Sequence, residues 1–171
     1  MDLKSLIRDV PDYPSAGILF RDLTPVMANP QAMRHVTETL SVHLSEKGIQ
    51  VIAAIDARGF IFGAPVAAQL DVPFVPLRKS GKLPPPVVGV DYVLEYGTAR
   101  LEVAESAFSR HEKVAIIDDL LATGGTAGAG AELILALGGN VTTFAFLVEL
   151  TFLNGRQSLP AGIDVFSMVQ Y

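Results

Sequence analysis

The chain has 171 residues, half of them hydrophobic, which is enough for one domain with a sizeable core. Its 18 acidic side chains outnumber 13 basic ones for a net charge of −5, which argues against a nucleic-acid binder, and it has no cysteine for disulfides or thiolate metal sites. Mean hydropathy is +0.39, yet no apolar run approaches the ~18 residues of a membrane helix, so the excess points to strands buried on both faces and to an apolar subunit interface.

Residues 2–9 are expected as a short helix ended by Pro11. This opening stretch has no apolar core flanked by positive charge, so a secretory signal is not expected and the cytoplasm is the simplest location. The segment PDYPSAGILFRDLTPV, with Pro11, Pro14, Pro25 and Gly17, cannot hold regular structure for long. An aromatic-bearing ordered loop of this length is often functional; otherwise it is an arm covering a sheet edge. Asn29-Pro30 reads as an N-cap followed by proline at the first helical position. Met33, Val36, Leu40 and Leu44 then give one apolar helix face, closed by Gly48. His35 and His43 read as surface or boundary residues.

Val51–Ile55 is a buried strand running into Asp56-Ala57-Arg58-Gly59-Phe60, with a helix continuing to Leu70. Small residues therefore sit at a strand's carboxyl end, where open α/β sheets bind ligands. Arg58 is the charged member, with a salt bridge to Asp56 as its plainer role. A third strand, Pro73–Leu77, leads into Arg78-Lys79-Ser80-Gly81-Lys82-Leu83-Pro84, a flexible finger with three cations in five residues. Pro84-Pro85-Pro86 stiffens the end of that finger toward polyproline II. Tyr92–Gly97 and Arg100–Glu105 alternate apolar and polar residues, as a two-stranded antiparallel flap does. Glu102 and Glu105 are expected in solvent; for Glu95 the chain alone leaves a solvent-facing and a functional carboxylate equally open.

Val114–Thr126, VAIIDDLLATGGT, organises the rest. A wholly apolar strand is followed by Asp118-Asp119 at its end and by the tight loop Thr123-Gly124-Gly125-Thr126 before a helix. Converging loop amides and the positive end of the helix dipole make an anion cradle. The two acids would repel a phosphate, so they serve a neutral or cationic group nearby, such as sugar hydroxyls or a carbocation. Ala127–Leu137 is a helix ended by Gly138-Gly139, Val141–Leu150 the last strong strand, Thr151–Gln157 a short helix and Val165–Val169 an edge strand. Alternating strands and helices imply an α/β fold with a mostly parallel sheet and right-handed crossovers. The loops at 56–59, 78–84 and 118–126 then share one carboxyl edge, which favours a polyanionic sugar ligand.

The stretch DDLLATGGT resembles the phosphoribosyl diphosphate (PRPP) motif of the type I phosphoribosyltransferases, closest to their adenine-specific branch. PDYPSAGILFRD, RKSGKLP and LEYG are similar to three further stretches of that branch, and the resemblance covers about residues 2–171. It implies the type I fold: one domain over 1–171, with an arm (1–28) forming part of the base pocket and a flexible antiparallel flap at about 80–105. The implied reaction is Mg²⁺-dependent transfer of the 5-phosphoribosyl group from PRPP to adenine, giving AMP and diphosphate. By resemblance Asp118 and Asp119 hold the ribose hydroxyls, while Ala122, Thr123, Gly124, Gly125 and Thr126 hold the 5-phosphate. Ala57, Arg58, Lys79 and Lys82 contact diphosphate, and Arg78 reaches across a homodimer interface into the partner's site. Leu19 and Arg21 read the base mainly through backbone groups, beside Phe20, and Leu150 is the apolar floor beneath it. Glu95 handles the proton at purine N7. No cluster of protein metal ligands stands out, so Mg²⁺ is expected to arrive with PRPP. The chain departs from the usual KLPG wording at Pro84-Pro85-Pro86. Another purine, xanthine or hypoxanthine, is the nearest alternative acceptor; a non-catalytic PRPP-binding regulator would need a basic face and a DNA-binding extension.

Overall fold

The computed structural model describes residues 1–93 and 97–171. Lys4–Leu6 forms a single 3-10 turn, after which β1 (Arg8–Pro11) pairs antiparallel with β2 (Leu19–Asp22), Arg8 opposite Asp22 and Pro11 opposite Leu19. Of the helix expected over 2–9, only Lys4–Leu6 is helical, and Arg8-Asp9 is already strand. One or two helical turns are marginal alone, and here they lose to a ladder carrying two cross-strand ion pairs, Arg8–Asp22 and Arg21–Asp9. A short helix, α1 (Thr24–Met27), follows.

In α2 (Pro30–Glu46) the Asn29 side chain accepts from the N–H groups of Gln31 and Ala32 at 3.0 and 3.1 Å, the capping geometry its sequence predicts. Val36, Leu40 and Leu44 are fully buried along one face.

The remaining strands form one sheet: β3 (Val51–Ile55), β4 (Phe74–Lys79), β5 (Val87–Val93), β6 (Thr98–Ala104), β7 (Lys113–Leu121), β8 (Asn140–Glu149) and β9 (Asp164–Gln170), in the order β5-β6-β4-β3-β7-β8-β9. The five strands from β4 to β9 are parallel, and the β5–β6 ribbon joins them antiparallel, with Arg78 opposite Glu102 and Lys79 opposite Leu101. The flap strands therefore extend the main sheet. Helices α2 and α3 (Arg58–Leu70) cover one face, where Val36, Leu40, Phe62 and Val66 meet Ile52, Ala54, Ala115 and Ile117. On the other face α4 (Gly125–Ala136) brings Ala131, Leu133 and Ile134 against Val51, Ala53, Ile116 and Phe144. Successive residues of one strand thus enter opposite cores, which is why VIAAI and VAII are apolar throughout.

β7 outlasts its apolar run. Leu120 and Leu121 pair with Val148 and Glu149, so Asp118 and Asp119 lie inside the strand rather than at its end. The β7–β8 ladder overrides the two acids because its backbone bonds do not depend on side-chain polarity.

Candidate active site

The chain leaves β3 toward β4 on one side, and β7 returns on the other, so the strand order reverses between β3 and β7. A crevice outside the carboxyl ends of such strands is where open α/β sheets take ligands. Gly59, at the start of α3, closes that crevice from the β3 side. A Cβ there would lie 2.8 Å from the Ile117 carbonyl oxygen and 3.0 Å from Asp118 Oδ1, so only glycine lets α3 come this near to β7.

That approach carries Arg58 to the acid pair. Its Nε lies 2.7 Å from Asp119 Oδ2, so the partner of Arg58 is Asp119 and not Asp56. Asp119 is 3% exposed, and although the charges are close, Oδ2 receives no hydrogen bond. It is a buried acceptor with unused capacity. Burial pushes the Asp118 carboxyl well above the usual carboxylate range, and the charge of Asp119 pushes it further. Burial raises Asp119 too, against the opposing Arg58 guanidinium.

Ala122–Thr126 forms the turn from β7 into α4, around a cavity of about 80 Å³ that Asp118 also lines. Gly124, the N-cap residue, sits at φ +84°. Its Cα faces the segment after β8 so closely that a Cβ would fall 2.2 Å from the Gly155 carbonyl oxygen. Opposite, the Val93 carbonyl oxygen at the end of β5 would be 3.2 Å from a Cβ on Gly125.

The basic finger is pinned at two points. Asp56, buried, accepts from Arg78 Nε at 3.2 Å and from Lys82 Nζ at 3.1 Å on one oxygen. Burial opposes its ionisation, but Lys82 and Arg78 outweigh that and hold the carboxyl below its usual range. Glu102, expected in solvent, is 7% exposed instead. It accepts from the Ser80 hydroxyl at 2.8 Å and the Gly81 N–H at 2.9 Å. Arg78 is thus half-buried against its own chain, while Lys79 is exposed at the end of β4.

A second cavity, of about 390 Å³, opens between the β1–β2 ribbon, α1 and Arg58. Phe20 lines it with Tyr13 packed edge-on at 5.2 Å, and Arg8, Asp22 and Met27 complete the wall. Sequence reasoning missed Arg8, Tyr13 and Asp22; the cross-strand register that aligns Arg8 with Asp22 leaves no local signal. The other expected base residues do not line this cavity with their side chains, although Leu19 and Arg21 flank Phe20 in β2. Leu19 is 46% exposed. The Arg21 side chain turns to Asp9 and lies 3.7 Å over the Tyr171 ring. Leu150 packs against the core on the α2–α3 side. Glu95 lies outside the described residues.

The phosphoribosyl transferase domain family matches residues 23–158. An adenine phosphoribosyltransferase from Synechococcus is 53% identical over 99% of this chain and 96% of its own length. The chain belongs to the phosphoribosyltransferase family, in its adenine branch. The crystal structure of an adenine phosphoribosyltransferase from Thermoanaerobacter pseudethanolicus superposes with a TM-score of 0.95 at 47% identity, covering 99% of this chain and 98% of the other. The Saccharomyces cerevisiae enzyme, solved with an imino-altritol bisphosphate and adenine, gives 0.93 at 38% identity, covering 98% and 96%. The type I phosphoribosyltransferase fold is thereby established for this chain, with its mostly parallel sheet and antiparallel flap ribbon. The family match runs from residue 23 to 158, so β1 and β2 precede it and β9 follows it, whereas the Synechococcus relative aligns over 99% of this chain. Among the described residues no three His, Cys, Asp or Glu side chains converge as metal ligands, and no helix is long and apolar enough to cross a membrane.

Proposed function

We propose that this chain is an adenine phosphoribosyltransferase, moving the 5-phosphoribosyl group of PRPP to adenine N9 with release of diphosphate, a step of purine salvage. One observation supports the reading at the level of residues: Arg58 lines the 390 Å³ cavity of the arm and also reaches Asp119 beside the cradle, as adjoining base and ribose sites require.

Breaking the C1–O bond sends its electron pair to diphosphate and leaves the ribose electron-poor, and adenine N9 then forms the new bond at C1. Asp118 and Asp119 take the ribose hydroxyls as donors. Asp119 Oδ2 meets the Arg58 guanidinium as an ion pair without a well-aligned hydrogen bond, and its free lone pair supports that role. Ionised, the pair also faces the developing positive charge. The amides of Ala122, Thr123, Gly124, Gly125 and Thr126 hold the 5-phosphate at the start of α4, fixing the anomeric carbon in advance. Ala57, Arg58, Lys79 and Lys82 take the leaving group, and Lys82 and Arg78, gathered on Asp56, are the local supply of positive charge.

Mg²⁺ bound through the diphosphate neutralises part of its charge. Asp118 and Asp119, the two carboxylates beside the cradle, are the protein donors that such a ligand-carried ion would meet. Phe20 and Tyr13 supply apolar and edge-on aromatic surface to the base, while Leu19 and Arg21 offer it backbone groups. Leu150 remains a floor beneath the base only if the base reaches past the cavity. As the N9–C1 bond forms, the purine gives up its proton at N7 to Glu95, a role resting on the LEYG resemblance. A homodimer in the cytoplasm completes the proposal; its support is the apolar composition, and sedimentation at monomer mass would remove the dimer.

Initial rates with PRPP and a panel of bases test the assignment. Turnover of adenine is expected, and turnover of a 6-oxopurine without turnover of adenine overturns it.

A further inference from the structure

Glu149 is a buried carboxylate at the end of β8 for which the proposed reaction has no use. It is 4% exposed. Arg156 reaches it with Nε and Nη2, each at 2.6 Å, in a two-pronged pair. The Ser167 hydroxyl and the Gln170 amide, both from β9, donate to the same carboxylate. The pair closes a seven-residue detour that leaves the sheet after Glu149, turns through Thr151–Leu153 and passes Asn154 at φ +53°.

Gly155 lies at the inner apex of this detour, next to Arg156. A Cβ on Gly155 would fall 2.1 Å from the Ala122 carbonyl oxygen, and a Cβ on Gly124 would fall 2.2 Å from the Gly155 carbonyl oxygen. The backbones of the detour and of the phosphate cradle are therefore pressed together at two reciprocal points, with no side chain between them. At the root of the detour the Leu150 N–H donates to the Leu121 carbonyl at 2.9 Å, tying both loops to the same rung of the sheet. Gly128, one turn into α4, sits against the Ser158 carbonyl oxygen, 3.0 Å from where its Cβ would be. The outer wall of the cradle, from Ala122 to Gly128, is thus the segment Gly155–Ser158.

We propose that Glu149 and Arg156 are positioning residues for PRPP: by clamping the detour they press Gly155 against the cradle and set the width of the 5-phosphate grip. The inference rests on the reading of 122–126 as the phosphate cradle. Neither side chain touches the ligand. The carboxyl of Glu149 is held below its usual range, first by Arg156, and Arg156 is raised in return, so the clamp is charged at neutral pH. Arginine suits the place because its planar fork meets both carboxylate oxygens at once, which an ammonium does not.

Steady-state kinetics with PRPP and adenine on Arg156→Met, Glu149→Gln, the double variant and Arg156→Lys test this. Misplacing a positioning element by ~1 Å costs up to about a hundredfold. A loosened wall is a smaller change, so Arg156→Met should raise KM for PRPP about tenfold. KM for adenine should stay within about twofold and kcat within about threefold, as when uniform binding is lost. Glu149→Gln should match it, the double variant should be no worse than the poorer single, and Arg156→Lys should fall between. A folded Arg156→Met with PRPP KM within about twofold of wild type, or with both KM values rising by one factor, overturns the inference. If that variant does not fold, an unchanged PRPP KM in Arg156→Lys overturns it. A wild type that neither turns over nor binds PRPP in calorimetry overturns the parent reading, and the clamp's role with it.

Discussion

Gly124→Ala tests the cradle most directly, because a second glycine supplies a matched control. Gly124 and Gly162 share a positive φ of nearly the same value, +84° and +82°. Alanine at either position incurs the same left-handed penalty, ~1–2 kcal/mol. They differ in surroundings: nothing lies within 4 Å of a Cβ on Gly162, whereas one on Gly124 meets the Gly155 carbonyl oxygen at 2.2 Å. Reaching even a tight contact requires the two loops to part by about 1 Å. A positioning element displaced by ~1 Å loses about a hundredfold in rate, or ~2.7 kcal/mol of transition-state stabilisation. Gly162→Ala should therefore keep kcat/KM for PRPP within about twofold while losing ~1 kcal/mol in urea unfolding. Gly124→Ala should lose about a hundredfold in kcat/KM for PRPP on top of a similar backbone cost. Equal kcat/KM values in the two variants would refute the claim that the cradle's shape depends on the Gly124–Gly155 contact.

Asp119→Ala should lower kcat by about 10²–10³, as other preorganised charge contacts do when removed; a rate within about threefold of wild type would end its proposed role. Asp118→Asn should stabilise the ligand-free protein by an amount that grows with pH. The raised folded-state carboxyl contributes stability below its ordinary value, and that contribution disappears as pH rises through the folded value, whereas a neutral amide is indifferent. Melting temperatures at about pH 4 and about pH 8 read this out, and a difference that shrinks with rising pH contradicts it. Glu95→Gln should cut kcat by about 10²-fold or more with a smaller change in KM for PRPP; equal losses in both count against proton handling at this residue.

Several parts of the site were legible because their causes are local. The tight turn at 122–126, the N-cap Asn29 and the doubly buried strands each follow from neighbouring residues and hydrophobic period. The partner of Arg58 was not legible, since Asp119 lies 61 positions away and meets it only through the close packing of Gly59 on β7. Glu102 was misjudged for a similar reason. Its strand alternates as an exposed ribbon does, and only the antiparallel register with β4 puts it under Ser80 and Gly81. The β1 segment carried too few residues for any period to speak, and pairing with β2 decided it.

By itself, the order of residues determined which segments carry anion-binding amides, cations and carboxylates, and that they gather at the carboxyl edge of a single α/β sheet. Tertiary structure alone decided which of those charges neutralise one another: Arg58 with Asp119, Arg78 and Lys82 with Asp56, Arg156 with Glu149. The reason is the range of the forces. Backbone preference and burial period act over a few residues and are written in the local sequence. An ion pair depends on distance in space, which strand register and the close approach of glycine backbones set across tens of residues.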